Sequence, residues 1–89
     1  MSSKESQKLI DARAYLRRAS DWISTNGNRA ENLRKDVRSL LMKLHEPSMF
    51  DEQVGHLLAI LYKQDNRNHT ASEYATMLQQ VAERPLGNN

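Results

Sequence analysis

Apolar residues recur along the chain with helical spacing. Leu9, Ala12, Leu16, Ala19 and Ile23 follow one another at intervals of 3, 4, 3 and 4 residues. Ala30, Leu33, Val37, Leu40 and Leu44 form a second such series. At 3.6 residues per turn, each series lies along one side of a helix. Between them stand Ser24, Thr25, Asn26, Gly27 and Asn28. Gly27 can end a helix in the left-handed conformation, and Asn28 can cap the next. The pattern predicts a helical hairpin over about 5–25 and 29–45.

Pro47 closes the second helix. Ser48 followed by Asp51 is a short-acid form of the capping box, so a third helix is expected over about 49–64. Its apolar positions are Phe50, Val54, Leu57, Leu58 and Leu61, and the run 57–62 is apolar nearly all round, as in a helix buried on several sides. Gly55 inside it costs about 1 kcal/mol relative to Ala, which close approach of another helix backbone would explain. After a polar loop, Thr70 and Glu73 make a T-x-x-E capping box. Tyr74, Met77, Leu78 and Val81 carry the stripe of a fourth helix, about 70–84, ended by Pro85 and Gly87. The expected fold is all-α: one four-helix domain over 1–89, with an N-terminal helical hairpin packed on a C-terminal helix pair.

Composition narrows the classes of function. The 89 residues include no cysteine, which removes disulfides, thiolate metal sites and cysteine nucleophiles. The first residues lack the apolar core of a secretory signal, and no apolar run approaches the length of a membrane span. A cytoplasmic protein without membrane contact is expected. The net charge of +2 hides an asymmetry: residues 1–46 hold ten bases and six acids, and residues 47–89 hold three bases and five acids. A basic half can meet a polyanion, or pair head to tail with the acidic half of a second copy.

Catalytic constellations are missing. His45, His56 and His69 are not spaced as metal ligands, there is no Gly-x-Ser-x-Gly elbow, and no Gly-rich phosphate loop occurs. Asp51 and Glu52 read as partners of a helix N-terminus. Neither an enzyme nor a cofactor or metal site is expected. Arg17, Arg18, Ala19 and Ser20 have the form of a basic kinase site, but Ala19 lies on the core stripe. Asn68, His69 and Thr70 form a glycosylation sequon better read as a loop and a cap.

The basic and aromatic positions carry the functional reading. Arg13 and Arg17 are four apart on the first helix with Arg18 beside them, and Arg34 and Arg38 are four apart on the second with Lys35 beside them. If the hairpin brings these faces together, they form a groove for phosphates or acidic side chains. Glu31 and Asp21 are within reach as local ion-pair partners. Tyr15 and Trp22 flank the first stripe, as Leu41 flanks the second, and widen its apolar face. Exposed aromatic residues near arginine dominate interface energetics.

These features predict a small non-catalytic regulator, inhibitor or adaptor that binds another protein through Arg13, Tyr15, Arg17, Arg18, Trp22, Arg34, Lys35 and Arg38. A protein partner is preferred because aromatic and basic positions share one helix while net charge is small. The apolar surface of two heptad-like helices puts a homodimer among the expected partners. The alternative is a DNA- or RNA-binding transcriptional regulator. It would use the Arg-rich hairpin, or the stretch 56–78, which loosely resembles a helix-turn-helix. That stretch has a long connecting loop, and residues 71–82 hold no Lys or Arg.

Overall fold

The structure, a computed structural model, describes residues 4–86. Helix α1 spans Gln7–Asn26, α2 Leu33–Met42, α3 Glu52–Gln64 and α4 Ala71–Glu83. Short 3₁₀ turns, Gly27–Arg29 and Lys43–His45, extend α1 and α2, and the described residues contain no strand. The described residues are all-α with four α-helices, as the stripes predict. No described helix is long and apolar enough to cross a membrane.

The first stripe is buried throughout, from Leu9 to Ile23, and its main partner is α4. The two helices are antiparallel: the end of α1 meets the start of α4 at Gly27 and Ala71, while Arg13 reaches Ala82 and Arg84. They approach closely because the facing positions are small. The buried Ser20 hydroxyl donates to the Ala75 carbonyl at 2.7 Å, which a side chain this short reaches only across a close helix pair. Helix α3 starts beside the start of α1, where Ser6 N–H donates to Gln53 and the Lys8 ammonium to the Pro47 carbonyl.

Several boundaries differ from the sequence pattern. Asn32, not Asn28, caps α2, accepting from Lys35 N–H, because Asn28 is taken up in the 3₁₀ turn that continues α1. Gly27 is right-handed (φ −63°), so it is needed for space rather than for backbone freedom. A Cβ there would stand 2.8 Å from that of Ala71. Asp51, not Ser48, caps α3 through Val54 N–H, and Met49 and Phe50 belong to a turn whose amides donate to the Glu46 carbonyl. Gly55 answers the Phe50 ring, 3.1 Å from where its Cβ would be, and not a helix backbone. Helix α2 begins beyond Ala30 and buries Val37 and Leu41, with Leu44 buried in the 3₁₀ turn that follows, while Leu40 is only half-buried. Helix α3 buries one face, Val54, Leu57, Leu58 and Leu61, and leaves Ala59 exposed.

The Thr70–Glu73 capping box forms in both directions. Thr70→Ala is expected to cost about 1 kcal/mol, seen as a lower urea midpoint with unchanged slope. A change below about 0.3 kcal/mol would show that Glu73 alone holds the helix start.

Candidate functional site

Seven of the eight basic and aromatic candidates fall into three groups, and Lys35 stands apart. Contrary to the outward orientation expected from the sequence, Arg13 is 7% exposed and turns inward. It sits beside Ala12 on the side of α1 that meets α4. Its Nη1 donates to the carbonyls of Ala82 (2.9 Å) and Arg84 (2.6 Å), while Nε and Nη2 form a fork with the Glu5 carboxylate. A guanidinium there satisfies carbonyls that the end of α4 leaves without intrahelical partners. Arg17, half-exposed, pairs through Nε with Glu83 at 2.6 Å, and this bond holds the Glu83 carboxyl below its usual range. Both arginines fasten α1 to α4.

Arg34 and Arg38 form the second group, around Asp65. This aspartate follows α3 and is 3% exposed. One oxygen lies 3.2 Å from Arg34 Nε and accepts from the Tyr74 hydroxyl at 2.7 Å; the other accepts from Arg38 Nε at 2.6 Å. Its backbone carbonyl accepts from Nη2 of Arg34, and more distantly from that of Arg38. Burial alone would push the Asp65 carboxyl up. The bonds from Tyr74 and Arg38 and the charges of both arginines outweigh burial and hold it below the usual range. Burial and the same carboxylate push the Tyr74 hydroxyl up to about 12. The cluster ties α2, the end of α3 and α4 together.

Tyr15, Arg18 and Trp22 are the third group. At positions i, i+3 and i+7 they share one face of α1. Tyr15, half-buried, donates its hydroxyl to the Leu40 carbonyl at 2.7 Å, and burial raises its pKa against the opposing charge of Arg18. The Arg18 guanidinium lies 5.9 Å from the centre of the Tyr15 ring. Trp22 is 46% exposed. Lys35 is exposed and makes no ion pair among the described residues.

The structure does not join the two arginine faces into one groove. Residues 38 and 40 lie about 200° apart around α2. Arg38 therefore turns toward α3 while Leu40 meets Tyr15 of α1. The local pairings open to Asp21 and Glu31 are not formed among the described ion pairs; acids distant in sequence take the arginines instead. Ser20 of the kinase-like motif is buried in the α1–α4 contact.

One feature escaped the sequence pattern. His45, Phe50 and Tyr62 form a ladder of offset rings with centroids 6.0 Å apart at each step, and the Arg38 guanidinium lies 5.1 Å from the Tyr62 ring centre. His45 Nε2 is 3.0 Å from the Tyr62 hydroxyl. Three elements contribute one ring each, so no local spacing marks the ladder. Among the described residues no three His, Asp or Glu side chains converge as a metal site. No family model, curated protein or solved structure matches the chain.

Proposed function

We propose that this protein is a small non-catalytic regulator or inhibitor that works by docking the Tyr15–Arg18–Trp22 face of α1 onto a protein partner. The exposure of Trp22 carries the reading. A tryptophan with nearly half its surface in water, next to a guanidinium and a tyrosine fixed to the neighbouring helix, is the composition of an interface centre. The arginines that would have served a phosphate backbone support the same choice. Arg13 and Arg17 each pair with an acid of the same chain, and Arg34 and Arg38 share Asp65, so the four keep about one unmatched positive charge between them, too little for an extended phosphate backbone. The helix-turn-helix alternative loses ground because the exposed positions of α4 offer no base.

Trp22 is the only tryptophan and reports on its own surroundings. Its emission is expected to be red in dilute solution and to move to the blue when the host's partner is added. In affinity capture from host extract, Trp22→Ala is expected to weaken retention by roughly thirtyfold, about 2 kcal/mol, while leaving the melting temperature nearly unchanged. Equal capture by both proteins, or a large stability loss in Trp22→Ala, refutes the docking face. Retention that nuclease abolishes supports nucleic acid instead, and a blue shift with protein concentration alone identifies a second copy as the partner.

A further inference from the structure

We infer that the opposite flank of α2, where it meets α3, is a receptor for a short acidic segment of a partner protein carrying an apolar side chain beside its carboxylates. This surface is separate from the Trp22 face. Its charged end is built around a stoichiometric imbalance: two guanidiniums share the single Asp65 carboxylate, so the cluster keeps one positive charge, and Lys35 adds a second beside it. Asp65 draws in the Nε groups and its carbonyl the Nη2 groups, whereas none of the described hydrogen bonds uses Nη1 of Arg34 or Arg38. An open notch of about 380 Å³ lies here, lined by Asn32, Arg34, Lys35, Arg38 and Asn68. The buried aspartate fixes both arginines before any ligand arrives, which reduces the ordering cost of binding.

From Arg38 the surface continues into apolar groups. Tyr62, His45 and Phe50 follow in the ladder; Phe50 is 38% and Met42 59% exposed. An occupant suited to both ends has carboxylates for the notch and an aliphatic or aromatic side chain for Met42 and Phe50. Single-stranded nucleic acid fits less well. Its bases need free ring faces, whereas Tyr62 is engaged by the Arg38 guanidinium over its ring and by His45 at its hydroxyl.

The test is an NMR titration of isotope-labelled full-length protein with a capped peptide of glutamates around one leucine. The amides of Lys35, Arg38 and Met42 and the Nε signals of Arg34 and Arg38 should shift saturably. Lys35→Glu, on an exposed residue without a structural partner, should weaken binding roughly tenfold or more. Met42→Ser should reduce the leucine peptide to the affinity of a leucine-free one. Circular dichroism confirms that both variants fold. Trp22→Ala should leave the titration intact, so this surface and the Trp22 face can fail independently. Absent shifts, shifts elsewhere, equal response to pyrophosphate or an oligonucleotide, or the same shifts on raising protein concentration alone would each overturn the proposal.

Discussion

Replacing Arg34 and Arg38 together by Gln is expected to destabilise the fold by about 3–5 kcal/mol, a large share of the 5–15 kcal/mol typical of a domain. The arginines are substantially exposed and Asp65 is 3% exposed, so the loss is asymmetric. Without them a buried carboxylate keeps only Tyr74 as donor. Asp65→Asn should cost less, about 1–3 kcal/mol, because the freed guanidiniums can turn to water and the amide oxygen can still accept from Tyr74. The pH dependence separates this account from a packing defect. The native Asp65 pKa is depressed, so its contribution is complete above the unfolded value near 4 and fades as pH falls through the native value. In the double variant burial is opposed by little, the pKa moves up, and protonation relieves the strain. Urea unfolding should therefore show the penalty at about pH 7 and a much smaller one near pH 4. A penalty independent of pH would refute the electrostatic explanation.

Leu61→Ala should cost about 2–5 kcal/mol, and Leu58→Ala a similar amount. Both side chains are buried within the single apolar core that all four helices share. They lie on the inward face of α3, whose neighbours cannot close over a lost isobutyl group without moving a helix. Met42→Ala, truncating an exposed side chain, should stay within about 0.5 kcal/mol. Losses below about 1 kcal/mol at both leucines would place α3 at the periphery of the core instead.

Short-range information in the sequence carried most of the architecture. The stripe of α1 and the Thr70 cap depend on spacing within one or two turns, and the structure reproduces them. The site was less legible because its determinants are distant pairs. Asp65 stands in a polar run, 64–69, that reads as solvated loop; what buries it is a pair of arginines 27 and 31 residues away. Arg13 adjoins the core stripe, and only the end of α4 decides whether that edge faces water or a carbonyl. Asn28 and Asn32 are equivalent caps by composition, and the choice was made by the 3₁₀ turn that prolongs α1. Tyr15, Arg18 and Trp22 could be named from the sequence because their relation is contained within one helix.

The pairing of the first helix with the last has a consequence for how the protein is made. Arg13 donates to carbonyls 69 and 71 residues later, and Ser20 to one 55 residues later. At roughly 5–20 residues per second, α1 is synthesised several seconds before α4. A lone helix of 20 residues is marginal in water, and through that interval Leu9, Leu16 and Ile23 lack their main partner. A chain truncated before α4 is therefore expected to lose its cooperative unfolding transition, which circular dichroism of residues 1–68 would check. The contact between α1 and α4 thus acts as a late latch: until residues 71–83 exist, the longest helix of the fold has no main partner and is open to proteolysis.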